Sequence, residues 1–312
     1  MRTPIIMAGM CPPYHSWPKA ELHLHLEGSV DIATLRELAP ELSVEEAAEL
    51  YEFTGFGGFL KTFAAIVGHV RTPADYGLIT RRLLERLHRE NVRYAEVTVS
   101  AGVVLWKGQE FAPVFDAIRE AAAASPVEVR WILDAVRHFG VEHGMQVAEL
   151  AAARVDQGVV AYSIGGDEER GPAAWFTDVY RFARSAGLRL TAHAGETDGP
   201  ASIWAALELG AERIGHGIRA IDDPVLVKHL RDHGIPLEIS LTSNLATGVI
   251  ADLAAHPAQL LYDAGVPLTL NTDDPGIFRT TLSREFELAA QLGFGDEPLR
   301  TIAANGFRYA FR

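Results

Sequence analysis

The chain has one cysteine, Cys11, among 312 residues. A single thiol closes no intrachain disulfide and builds no cysteine-rich zinc site, which excludes a disulfide-stapled scaffold and a zinc-finger-like module. It also favours a reducing compartment. No run approaches the ~20 apolar residues of a membrane span. Residues 4–10 are mildly apolar, but Gly9 breaks a stretch already too short for a secretory leader. A soluble cytoplasmic protein with no membrane partner is the expectation. Positive charge is scarce: 28 Lys and Arg stand against 41 Asp and Glu, for a formal net charge of -13. Such a chain repels a phosphate backbone, so nucleic acid is not an expected partner and a small neutral or cationic ligand fits better. Low-complexity stretches and Ser- or Pro-rich linkers are also missing, so residues 1–312 read as one domain.

What is present is alternation. Short apolar, β-branched runs at 20–26, 92–100, 127–136, 159–166, 189–196, 213–217, 236–240 and 267–274 are separated by longer helical patterns, such as 111–125, 141–157, 173–186 and 223–233. Helical patterns at 283–292 and 298–311 follow the eighth run. Strand–helix alternation signals a parallel sheet with crossover helices. Eight such units over this length predict an α/β fold of the (β/α)8 TIM-barrel type. The first crossover, 29–91, is long and holds helical pieces at 31–38, 44–53, 58–70 and 74–89. A helical insertion after strand 1 is expected to cap the active site, because βα loops line the catalytic mouth of a barrel. Gly55, Gly57 and Gly58 are the candidate hinges.

Four fragments stand where strands should end: His23-Leu24-His25, Thr191-Ala192-His193-Ala194-Gly195-Glu196, Arg213-Ile214-Gly215-His216-Gly217 and Asn271-Thr272-Asp273-Asp274-Pro275. His23 and His25 are two apart, so the strand period turns both to one face, here the barrel interior. His193 ends the fifth strand and Asp273 the eighth, so both open onto the same mouth. Three histidines and an aspartate hold a divalent metal and leave room for water; zinc is the first choice, with iron or manganese as alternatives. Read alone, Asp273 before Pro275 would be a helix N-cap.

A water on such a metal titrates near 7 but still needs groups to handle protons. Glu196 follows Gly195, whose backbone freedom allows a sharp turn toward the metal. A carboxylic acid buried in an apolar mouth titrates high and can donate at neutral pH. His216, between two glycines, suits a base, an electrostatic clamp on the attacking hydroxide, or a fourth metal histidine. Asp274 points away from its neighbour Asp273, so one meets the metal and the other the substrate. At the fourth strand end, Gly165-Gly166-Asp167-Glu168 offers a bare glycine N–H to a flat heterocycle.

In order along the chain, these motifs resemble the adenosine deaminase family of the metal-dependent amidohydrolase superfamily. The carriers are residues 18–28, which contain His23, His25 and Glu27, together with Gly166-Asp167-Glu168, His193-Ala194-Gly195-Glu196, Gly215-His216-Gly217 and Asn271-Thr272-Asp273-Asp274-Pro275. Ser243-Asn244 and Thr247-Gly248 are similar to the family's seventh-strand loop. The resemblance spans nearly the whole chain. It implies one zinc ion held by His23, His25, His193 and Asp273. Glu196 would protonate purine N1, and His216 would orient the hydroxide attacking C6, with Asp273 assisting. Gly166 would contact N3 and Asp274 N7, with His25 and Glu27 also at the substrate. Ammonia would leave and a 6-aminopurine would become a 6-oxopurine.

Departures bear on the substrate. Residue 27 is Glu where adenosine deaminases often carry Asp. Residues 94–103 lack the Arg-Phe-Ser-Pro usual in adenosine deaminases and the adenine-type motif as well, and 238–244 lack the usual Cys-Pro pair. This pattern looks more like the branch acting on 6-aminodeoxyfutalosine, an adenine nucleoside with a bulky aromatic carboxylate at its 5′ end, in menaquinone biosynthesis. Adenosine and then adenine follow as alternatives. Trp106, Phe56 or Phe59 would stack on the aromatic group, and His69, Arg71, His138 or Lys107 would meet the carboxylate. A binuclear amidohydrolase would bring a lysine from the fourth strand, and 159–166 has none. A non-catalytic purine binder should have lost Glu196 or a ligand, and none is lost. His15, His88, His143, His229, His233 and His256 carry no motif and read as surface or packing residues; Cys11 has no expected catalytic role.

Overall fold

Eight parallel strands follow one another around the sheet in chain order. They are β1 (Lys19–His25), β2 (Val92–Val99), β3 (Glu128–Val136), β4 (Val159–Gly165), β5 (Arg189–Ala194), β6 (Arg213–His216), β7 (Leu237–Ile239) and β8 (Leu268–Leu270). The seam between β8 and β1 is closed by a parallel bridge from Leu24 to Asp273. There the His25 N–H donates to the Asp273 carbonyl at 2.8 Å and the Asp273 N–H to the His23 carbonyl at 3.0 Å. The expected (β/α)8 TIM barrel is therefore the fold, seen here in a computed structural model that describes residues 13–312. The expectations for residues 4–10 and Cys11 lie outside the described residues. Among the described residues no helix is long and apolar enough to cross a membrane.

Alternation along each strand builds two layers of core. Ala95, Val97 and Val99 of β2 and Leu133 and Ala135 of β3 join the large cluster between sheet and helices. The opposite face of the same strands turns Ile132 inward, where it meets Ala161 and Phe311. Each fully buried Val, Leu or Ile contributes about 1.5–3 kcal/mol, so this double layer fixes strand register. β1 breaks register between Glu21 and Leu24, where three steps on β1 pass two on β2. Such an irregularity re-aims side chains. It lets Leu22 pack low in the barrel with Tyr94 while His23 and His25 both reach the mouth.

The barrel floor is a buried ion network plugged by residues 309–311. Arg213 pairs with Glu96 at 2.5 Å and Glu238 at 2.6 Å. Its guanidinium lies 3.7 Å from the centroid of the Phe311 ring and donates to the Tyr309 carbonyl at 2.8 Å. The Phe311 N–H in turn donates to Glu96. Three polar side chains on β2, β6 and β7 are thus locked beneath the site, each charge paired, as burial demands.

The first crossover is helical as expected, with helices at Ile32–Leu38, Val44–Glu49, Gly55–Val67 and Pro73–Arg89. Asp31 caps the first through the Thr34 N–H, and capping boxes start the second (Ser43, Glu46) and the fourth (Thr72, Asp75). The last of the four turns an apolar face of Ile79, Leu83 and Leu87 inward and packs against Phe111–Ala123. Gly57 and Gly58 lie within the helix Gly55–Val67, and of the three candidate hinges only Gly55 has a positive φ, 69°. That helix is held by aromatic packing, with Phe59 5.0 Å from Phe278 and 6.0 Å from Phe53. Tyr51 donates to the Val30 carbonyl at 2.8 Å, tying this part of the crossover to the end of β1.

Candidate active site

The side chains of His23, His25, His193 and Asp273 converge above the floor network. Asp273 Oδ1 is 3.3 Å from His23 Nε2 and 3.3 Å from His25 Nε2, and the Nε2 atoms of His25 and His193 are 3.1 Å apart. Four ligands at tetrahedral angles, with bonds of 2.0–2.1 Å, stand about 3.3–3.4 Å from one another. The spacings therefore match the edges of a tetrahedral zinc shell. His23, His193, His216 and Asp273 also fall within 4.8 Å of one another by their ligand atoms, as do His25, Asp273 and Asp274.

Hydrogen bonding prepares the rings as ligands. His23 Nδ1 donates to Glu238 Oε2 at 2.9 Å, and His193 Nδ1 to the Ile164 carbonyl at 3.1 Å. With Nδ1 donating, each ring turns its Nε2 to the centre, the arrangement usual for a metal histidine. His23 Nε2 is buried and has no hydrogen-bond partner in the protein. His193 Nε2 also faces His25 Nε2 at 3.1 Å, a contact that needs a proton or a cation between the two nitrogens. The electrostatics agree: burial opposes charge on His23, but Asp273 and Glu238 outweigh it and lift its pKa to about 10. Burial likewise opposes charge on His25, and Asp274 and Asp273 bring it to about 9. His193, desolvated and beside the other two, goes far down. The cluster could hold a cation, and its donor set fits zinc.

Glu196 and His216 face this centre from the other side. His216 Nε2 is 3.7 Å from Glu196 Oε2 and 3.8 Å from Asp273 Oδ2. Asp273 thus turns Oδ1 to His23 and His25, and Oδ2 to His216 and Ser243, whose hydroxyl donates to it at 2.7 Å. His216 and Asp273 hold left-handed backbone, with φ of 60° and 61°. Such conformations cost non-glycine residues on the order of 1–3 kcal/mol and cluster at functional sites. Gly215 is needed next door, since a Cβ there would stand 2.7 Å from His23 Cε1. Burial, and then the charge of Asp273, pushes the Glu196 carboxyl well above the usual range. Burial first, and then Asp273, does the same to Asp274, whose Oδ1 has no hydrogen-bond partner.

Several contributors carried no recognised signal in the sequence. Glu168, known there only as the end of a motif, accepts from the N–H groups of Gly195, Glu196 and Thr197 at 2.8–2.9 Å and from the Ser202 hydroxyl. Burial alone would raise its pKa; these bonds and Arg137 hold it below the usual value. It therefore stays an acceptor and clamps the turn that presents Glu196. Arg137 donates to the His193 carbonyl at 2.6 Å. Asp134 of β3 is buried with a free Oδ1, and its Oδ2 lies beside Gly165, which His193 also adjoins. Asn244, noted in the sequence only as part of the Ser243-Asn244 resemblance, and His256 are buried behind His216. A buried polar residue at a strand end was the available clue for Asp134, and none was available for His256.

The expected substrate contacts fare unevenly. Glu27 is fully buried just past β1, accepts from the Ser100 N–H at 3.2 Å, and is raised by burial to about 7. Gly166 has a φ of 91°, and a Cβ there would lie 3.1 Å from His138 Nδ1, so only glycine leaves the space open. Trp106 is 67% exposed and stacks on Phe139 with centroids 5.9 Å apart; His138 abuts Phe139 at 5.1 Å. This aromatic shelf adjoins Gly166. Lys107 is instead spent on the Val67 and Val70 carbonyls, Arg71 donates to the Gly68 carbonyl at 3.2 Å, and Phe59 is in the core. His256, expected at the surface or in packing, is buried and hydrogen-bonded.

The family model described as adenosine deaminase matches residues 18–312. An aminodeoxyfutalosine deaminase of Streptomyces avermitilis is 38% identical over 309 residues, covering 94% of this chain and 86% of the relative. An adenine deaminase of Rhizobium johnstonii is 38% identical over 303 residues, covering 94% of each. Among solved structures, an amidohydrolase from Burkholderia ambifaria with bound zinc superposes with a TM-score of 0.88 at 28% identity, covering 96% of this chain and 87% of that one.

Proposed function

The chain belongs to the adenosine deaminase family and is a hydrolytic deaminase, and from that premise we propose that it is a zinc enzyme acting on a 6-aminopurine nucleoside. The observation that carries this reading is the convergence of His23 Nε2, His25 Nε2, His193 Nε2 and Asp273 Oδ1 beside the Glu196–His216 pair. His23, His25, His193 and Asp273 would hold the metal. When bound, the metal supplies Lewis-acid activation of a water molecule. Glu196, kept neutral by burial, gives its proton to purine N1, which draws electrons from C6. His216 faces the attacking oxygen, and Asp273 assists through Oδ2. The Gly166 N–H meets N3. Asp274, also neutral, donates to N7. Water adds at C6: one of its protons passes by way of Asp273 to the amino group, the other returns to Glu196 as the C6 oxygen becomes a carbonyl, and the C6–N bond breaks to release ammonia and the 6-oxopurine.

Within this class 6-aminodeoxyfutalosine is the proposed substrate. The Streptomyces relative supports it, as does the Trp106–Phe139 pair, joined to Gly166 through His138, on which an aromatic 5′ substituent would stack. Its carboxylate would meet His138, whose Nδ1 is buried without a partner. Free adenine is the second reading, favoured by the Rhizobium relative; adenosine is third. A cytoplasmic location accords with the single cysteine.

The test is a steady-state comparison of 6-aminodeoxyfutalosine, adenosine, 5′-methylthioadenosine and adenine, followed by the purine absorbance change. The reading expects the highest kcat/KM for 6-aminodeoxyfutalosine. Adenine in first place would replace it with the second reading, and failure on all four with zinc bound would overturn purine deamination.

A further inference from the structure

Behind His216 runs a buried chain of hydrogen bonds whose direction is set at its far end. The Ala258 N–H donates to His256 Nδ1 at 3.2 Å. A backbone N–H only donates, so Nδ1 is bare and a neutral His256 carries its proton on Nε2. Nε2 lies 3.1 Å from Asn244 Oδ1, which must accept. That fixes the Asn244 amide: its Nδ2 faces His216 Nδ1 at 3.2 Å and donates to it. His216 Nδ1 is then occupied as an acceptor, and its own proton sits on Nε2, the atom facing Glu196 and Asp273. Among these three, His256 is 3%, Asn244 0% and His216 1% exposed, so water does not compete for the bonds.

We infer that His256 and Asn244 are positioning residues that hold the proton of His216 on Nε2. The inference rests on the reading of His216 as the group facing the attacking oxygen. With the proton there, His216 meets that oxygen as a hydrogen-bond donor, and proton acceptance falls to Asp273. Burial lowers His256 to about 4, so its ring stays neutral and holds a single proton. One short helix, Leu241–Ala246, serves both partners: Ser243 donates to Asp273 Oδ2 and the next residue, Asn244, to His216.

The test is nitrogen NMR of the zinc-loaded, histidine-labelled protein, with the His216 signal assigned by its loss in His216→Gln. The wild-type protein is expected to show His216 protonated on Nε2; protonation on Nδ1 overturns the inference without any variant. Asn244→Asp removes the donor, because a carboxylate only accepts, and should move the proton to Nδ1. Its kcat should fall on the order of 10–100-fold, with KM and zinc content nearly unchanged. His256→Gln, which can still donate an amide N–H, should retain the Nε2 form and most of kcat, whereas His256→Leu should give mixed tautomers. A pure Nε2 form and unchanged kcat in His256→Leu would overturn the inference. The NMR result does not depend on substrate, so it is separable from failure of the purine assay.

Discussion

At the residue scale, environment assigns the work. Two carboxylates, Glu196 and Asp273, lie on either side of His216, yet burial drives Glu196 up while histidine neighbours overcome burial and hold Asp273 far down. Paired groups pushed apart in this way mark an acid and an anion. Glu196→Gln should therefore lower kcat on the order of 10²–10⁴-fold while leaving the metal bound, checked by metal analysis of the same samples. The acid is competent when protonated, so kcat should hold below its raised pKa and decline as pH rises through it. His216, lowered by burial to about 4, adds no limb at neutral pH. A pH–kcat profile rising on the alkaline side would contradict this assignment. His23→Ala should lose the metal, and a full complement in that variant would break the ligand assignment. His23, His25, His193, Glu196, His216 and Asp273 were legible in the sequence, because each stands at the end of an apolar strand run, whereas Asp134 within β3 was not. His256 and Asn244 differ: a hydrogen-bonded chain within the fold is made by side-chain orientation, which spacing does not encode.

At the element scale, the eight strands were legible because each is an apolar, β-branched run. Four short helices were not: Ala101–Trp106, Pro200–Glu208, Leu241–Ala246 and Ala258–Asp263. Three have six residues, under two turns, too few for a 3.6-residue period to register. Ala101–Trp106 even continued the pattern of β2, and its turn into helix is what carries Trp106 out to the shelf. Nor was the floor network visible, since Glu96, Arg213 and Glu238 are alternate residues on three distant strands. Its removal should be felt as stability. Arg213→Met leaves Glu96 and Glu238 buried without their cation, which should cost about 3–5 kcal/mol in denaturant unfolding. Loss under 1 kcal/mol would mean that the network is dispensable. Glu238 also orients His23, so the same variant should bind zinc more weakly.

At the scale of the molecule, a barrel delivers groups from β1, β4, β5, β6 and β8 to one mouth, while residues 309–311 seal the floor. A ligand that binds only this folded state must stabilise it: zinc at a hundred times its dissociation constant should add about 2.7 kcal/mol, seen as a higher Tm that chelation reverses. Trp106→Ala, at an exposed site, should leave Tm and adenine turnover unchanged and selectively raise KM for 6-aminodeoxyfutalosine; an equal loss on both substrates would remove the shelf from substrate recognition. The most direct test of the central claim is the stoichiometry of ammonia release by zinc-loaded protein and by Glu196→Gln at equal zinc content. The account predicts one ammonia for each 6-oxopurine formed by the first, and almost none from the second. Substantial ammonia from Glu196→Gln, or none from the zinc-loaded wild-type protein, would contradict it.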